Sequence, residues 1–170
     1  MRNERSYTGK MMAKGKANEE ILMAWLGNYS KDIIDFREFR LAQRIDVDFG
    51  IETLDGNILL AEIKSDRHIK EDGNLCFEVF RINHFSKIKP FYLGWGYRSP
   101  AQKIIVRNPE TGYTFIFNFQ ELREFVGAYI NKSGRNTRIN ITETDKVKTT
   151  FNFLIPMNEM KEMYKKFLVL

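Results

Sequence analysis

The chain has 170 residues, 43% of them hydrophobic and 14% aromatic, which is enough for one domain with its own core and too little for two of ordinary size. That composition excludes a disordered chain, and no apolar run approaches the roughly 20 residues needed to span a bilayer. A formal net charge of +5 favours an anionic partner, and a single cysteine, Cys76, excludes an intrachain disulfide.

The opening Met-Arg-Asn-Glu-Arg has no apolar segment behind it, so no secretory signal is expected. With its lone cysteine, the chain is expected in a reducing, cytoplasmic compartment. Residues 1–13 read as a flexible arm and residues 14–170 as a single domain. From Gly15 to a stop at Gly27-Asn28, Ala17, Ile21, Leu22, Trp25 and Leu26 recur at helical spacing. Glu19 borders that apolar side and Glu20 lies almost opposite, so Glu19 is the carboxylate expected to reach over a neighbouring sheet. Asn18 falls in the middle of the apolar side, where it needs a partner, either in a site or on nearby backbone. Residues 33–41 have apolar side chains at uneven spacing and read as a strand with a following turn.

Next, Ile45, Val47, Phe49 and Ile51 alternate with Asp46, Asp48, Gly50 and Glu52, the period of a half-buried strand, which predicts both aspartates on one face. Asp55-Gly56-Asn57 is hairpin chemistry. The following run is apolar from Ile58 to Ala61, after which Glu62 and Lys64 share one face and Ile63 takes the other. Pairing the two runs brings Asp46 or Asp48 beside Glu62 and Lys64. Carboxylates gathered there repel, and their pKa values rise unless a cation neutralises them. Magnesium, a hard ion with oxygen ligands, fits such a cluster, with manganese as a substitute, and the lysine can hold or activate a water beside it.

Residues 65–74 are polar and read as a loop at the mouth of the site, with a strand over 75–82 after it. In that strand Leu75, Phe77, Val79 and Arg81 are expected on one face and Cys76, Glu78, Phe80 and Ile82 on the other. Glu78 among apolar neighbours asks for a cation, from a side chain or the metal. Cys76 reads as a small buried side chain, His84 as structural, and the aromatic and glycine-rich residues 91–100 as a cap on the core. Lys103 to Arg107 and Tyr113 to Phe117 form a second predicted hairpin. Asn118 and Glu121 then make a capping box for a helix with Leu122, Phe125, Val126, Tyr129 and Ile130 on one stripe. Between residues 131 and 150, Lys132, Arg135, Arg138, Lys146 and Lys148 outnumber Glu143 and Asp145. This stretch is a predicted hairpin or loop suited to contact a nucleic-acid backbone, with Arg44 near a phosphate as well. A strand over 151–156 and a helix over 157–167, with Met160, Met163, Tyr164 and Phe167 inward, complete the chain.

The Asp46 or Asp48 strand, the Glu62-Ile63-Lys64 strand and the preceding helix with Glu19 resemble the PD-(D/E)XK nuclease superfamily, whose core is a metal-binding Asp at the end of one strand and a Glu-x-Lys on the next. Lys64-Ser65-Asp66, then Asp72-Gly73-Asn74-Leu75-Cys76-Phe77-Glu78, is similar to the Lys-x-Asp … Thr-Gly-Asn-x-x-x-Glu run of its phage-type members, with Asp72 where those have threonine. The resemblance implies a mixed α/β sheet flanked by helices, a restriction-endonuclease-like core. It further implies a magnesium-dependent endonuclease acting on DNA, plausible as a homodimer. Asp48 or Asp46 and Glu62 would hold the metal, and the Ile63 carbonyl would complete its shell. Lys64 would position or deprotonate the attacking water, Glu19 would orient it or bind a second ion, and the products would carry 5′-phosphate. The alternative is a catalytically silent nucleic-acid-binding module on the same fold.

Overall fold

The structure is a computed structural model that describes residues 4–85, 91–144 and 148–169. Helix α1 (Glu4–Leu26) starts well before Gly15, because Met, Ala and Lys are good helix formers and no proline occurs before residue 90. Residues 4–13 thus extend the helix where an arm was expected. It stops where expected, the Gly27 amide bonding the Met23 carbonyl at 3.0 Å. Its buried row is Asn18, Leu22 and Leu26, while Ala17 and Ile21 are exposed. The helix is therefore turned by about one residue from the expected stripe, leaving bulky Trp25 beside it against Tyr29 and Phe167, with ring centroids 5.1 and 5.0 Å away.

Strand β1 (Asp32–Asp35) is followed by a short helix α2 (Arg40–Arg44), then β2 (Phe49–Glu52) and β3 (Ile58–Ser65). The expected strand from Ile45 forms only from Phe49. Ile45 and Val47 both bond the Ala42 carbonyl at 3.1 Å, and Asp46 takes a positive φ of 54°, which aspartate tolerates better than most residues. That turn breaks the alternation, so Asp46 and Asp48 do not share a strand face.

After β3 the chain crosses to a second sheet through β4 (Asn74–Asn83), β5 (Phe91–Leu93) and helix α3 (Trp95–Arg98). It returns as β6 (Lys103–Arg107), parallel to β3, and β7 (Tyr113–Asn118) closes the predicted hairpin. Helix α4 (Phe119–Ser133) is capped as expected, with Asn118 accepting from the Gln120 amide and donating to Glu121 at 2.9 Å. Strands β8 (Ile139–Thr144) and β9 (Lys148–Pro156) pair antiparallel. One mixed sheet runs β1-β2-β3-β6-β7-β10, its last strand being Tyr164–Leu168, and an antiparallel one runs β5-β4-β9-β8. No helix among the described residues is long and apolar enough to cross a membrane.

The last segment corrects an expectation. Residues 157–167 form a 3-10 turn (Met157–Met163) and strand β10 (Tyr164–Leu168), which pairs with β7, rather than a helix. In a helix Tyr164 and Phe167 would share one side. As a strand they go to opposite faces, Tyr164 onto Phe115 and Phe117 and Phe167 onto Trp25, so both aromatic rings find a core.

Two clusters fill the molecule, one between the sheets and α4 with Phe77, Ile104, Val106, Phe117, Leu122 and Ile155, the other beneath α1 with Leu22, Phe49, Ala61, Ile63 and Ile105. Glu62 is in register with Ile104 and Lys64 with Val106, so both point toward the second sheet. A bulge between Glu78 and Phe80 changes the parity of β4 and brings Arg81 to the side of Glu78. The segment at residues 91–100 does cap the core. Trp95 is buried against Phe77 and Phe119, with centroids 5.2 and 5.9 Å away, and Gly94 lies on the β4 backbone. A Cβ at Gly94 would stand 2.5 Å from the Glu78 carbonyl oxygen. Gly94→Ala is therefore expected to cost about 1–3 kcal/mol. Gly127→Ala, within α4 and with nothing inside 4 Å, should be neutral or stabilising in the same thermal denaturation.

Candidate active site

The site forms where β2 parts from β3. The Asp48 amide donates to the Ala61 carbonyl at 3.0 Å, and one step further the ladder gives way to a side chain, as the Ile63 amide donates to Asp48 Oδ2 at 2.8 Å. Asp48 is thereby fixed at the end of β2, next to the Glu62-Ile63-Lys64 segment.

Glu62 is 2% exposed. Its Oε1 receives the Lys64 ammonium and its Oε2 has no hydrogen-bond partner. Burial pushes its carboxyl up to about 8, outweighing the pull of Lys64 in the other direction, with Asp48 and Asp46 adding repulsion. Burial works against the Lys64 ammonium, but Glu62, Asp48 and Asp46 together hold its pKa above the ordinary lysine value.

The two aspartates are in different situations. Asp46 is ion-paired with Arg98 of α3, whose Nε lies 2.6 Å from Oδ2, and its carbonyl accepts from Ser99. Among the described residues Asp48 forms no ion pair, its Oδ2 instead accepting from the Ile63 amide. Glu19 is part-buried and lies close enough to Asp48 and Lys64 to feel both, with its pKa raised by burial and by Asp48. Glu20 is 57% exposed and pairs with Arg37 at 2.8 Å. Arg37 also contacts Glu19 at 3.4 Å and Asp35 at 2.6 Å, a tether on the acidic side of α1 that the uneven pattern of residues 33–41 did not disclose.

Elsewhere the candidates separate. Glu78 has its cation in Arg81, 2.6 Å away. His84 bonds Thr149 at 2.7 Å. The Cys76 thiol is pushed up to about 11 by burial, which suits an unreactive side chain. Asn18 accepts from buried Arg107, so its partner is a side chain. Arg44, Lys132, Arg138 and Lys148 are exposed, the last two at the ends of the β8–β9 hairpin. Lys146 and the side chain of Arg135 lie outside the described residues. Asn140 and Asn152 from β8 and β9 and Trp95 from α3 reach the same cavity as Lys64, and no local sequence signal marks them.

Asp48 and Glu62 offer hard oxygen donors, and the unpaired buried Oε2 is what a divalent cation would satisfy. Among the described residues no three His, Cys, Asp or Glu side chains gather as a ligand set, so carbonyl oxygen and water would supply the remaining positions. Without metal, ionising Glu62 works against folding. Its folded pKa is raised from 4.5 to about 8, so its contribution is most favourable below about pH 4.5 and is lost as pH rises through about 8. In chelator, Glu62→Gln should remove that part of the decline, giving a stability advantage over wild type that widens from pH 5 to 9, as measured by urea denaturation.

No protein-family model, curated protein or solved structure matches this chain.

Proposed function

We propose that the chain is a divalent-metal-dependent deoxyribonuclease of the PD-(D/E)XK kind, with magnesium as its ion. One observation carries the reading. A buried carboxylate with an unsatisfied oxygen, Glu62, stands between Asp48 and Lys64 where two strands part. An unpaired buried acceptor costs about 1–3 kcal/mol or more, a cost that a cation bound at Oε2 would offset. The helix α1 ahead of the strands and the mixed sheet also support a restriction-endonuclease-like core.

Asp48 and Glu62 would hold the ion, which when bound polarises the phosphate and eases ionisation of water. The remaining work falls to the chain. The Asp48 carboxylate is oriented by the Ile63 amide. Lys64 positions or deprotonates the attacking water, or steadies charge on a phosphoryl oxygen. Glu19 stands on the α1 side as the acceptor that orients the water. Asp46, held by Arg98, fixes the turn that presents Asp48. The exposed cations of the β8–β9 hairpin and Arg44 are the proposed backbone contacts.

One observation favours a second reading, a catalytically silent DNA-binding module. Arg37 and Arg98 occupy Glu19 and Asp46, leaving two acidic side chains for the ion. Cleavage of supercoiled plasmid, and of single-stranded and branched DNA beside it, in magnesium or manganese separates the two. The nuclease reading expects metal-dependent cleavage that falls by about 100-fold or more in both Glu62→Ala and Lys64→Ala. Salt-sensitive DNA binding without cleavage, unchanged in both variants, would establish the silent module instead.

A further inference from the structure

Lys64 opens onto a cavity of about 650 Å³ between the two sheets. One wall is Lys64 of β3 and Val106 of β6, and the facing wall is Asn140 of β8 with Asn152 and Leu154 of β9. The β8–β9 hairpin that carries Arg138 and Lys148 therefore also closes the cavity opposite the reactive lysine. Its lining is mostly neutral amide and apolar surface. The rim carboxylates are engaged, Asp66 by the His68 amide at 2.8 Å and Asp72 by Lys70 at 3.2 Å. Asn152 is 6% exposed, and its amide nitrogen makes only a long 3.4 Å contact with the Asn140 carbonyl, weak enough to be exchanged for a ligand.

Amides and apolar walls suit the edge and face of a nucleobase, and a lysine at one end suits the phosphate attached to it. The volume lies within the range of about 300–1,000 Å³ typical of small-molecule sites, room for one nucleotide and not for a duplex. We infer that this cavity receives an unpaired nucleotide, so that the substrate of the Lys64 site is single-stranded DNA or a strand flap. The inference rests on the nuclease reading and narrows its substrate class.

The test uses one sequence in three forms, a single strand, a duplex and a duplex with a 5′ flap, bound to wild-type protein in calcium. The unpaired forms should bind tighter than the duplex by roughly 10-fold or more, the worth of one accommodated base. Trp95 also lines the cavity, so in Trp25→Phe protein, where it is the one tryptophan left, the unpaired forms should change its fluorescence while the duplex leaves it unchanged. Leu154→Trp, which fills the far wall, should abolish the preference. Equal binding of duplex and single strand, or tight single-strand binding that leaves the Trp95 fluorescence unchanged, would overturn the inference and leave the nuclease reading standing on DNA cleavage. Failure to bind or cut any DNA form would remove both.

Discussion

A carboxylate withdrawn from water costs several kcal/mol unless a cation or hydrogen bonds replace what it loses. Glu62 has lost nearly all its solvent and gained one ammonium, with Oε2 left over. The surrounding structure holds that arrangement in place. Parallel pairing with β6 and antiparallel pairing with β2 fix the middle strand that carries Glu62, so the side chain cannot swing out. Packing beneath α1, on the opposite face of the strand, anchors its neighbours Ala61 and Ile63. A side chain so held by rigid elements would lose little on binding the proposed ion.

The second sheet turns that strained carboxylate into a site with an entrance. Had β4 and β9 been absent, Lys64 would lie on an open face in water, where an ammonium adds little to a reaction. With them, it sits 5.7 Å from the Trp95 ring in a space whose dielectric is reduced on two sides. The bulge in β4 serves the same end, because it lets Arg81 neutralise Glu78 and keeps a further buried carboxylate out of the reckoning.

How much of this was legible in the sequence depended on the range of the interactions. Glu62, Ile63 and Lys64 alternate within a strand, and local periodicity sufficed to place them. The Asn118 cap and both hairpin turns were legible for the same reason. Asp46 and Asp48 were not distinguishable, because the left-handed turn at Asp46 is sustained by Arg98 and Ser99, more than 50 residues away. The faces of β4 were misjudged at Arg81, since a bulge leaves no mark in the hydrophobic pattern. The closing segment reads as an amphipathic helix, yet an open edge on β7 captures it as β10. The second sheet as a wall of the site could not be read at all, because Asn140, Asn152 and Lys64 meet only through strand order.

The central claim is that Asp48 and the unpaired oxygen of Glu62 bind a divalent cation. Crystals of the protein soaked in manganese, with diffraction recorded at an energy where manganese scatters anomalously, address it directly. The account predicts an anomalous peak within about 2.5 Å of both carboxylates in wild type and none in Glu62→Gln, whose amide keeps the shape but loses the charge. A wild-type map with no peak between Asp48 and Glu62, at manganese concentrations well into the millimolar range, would contradict it.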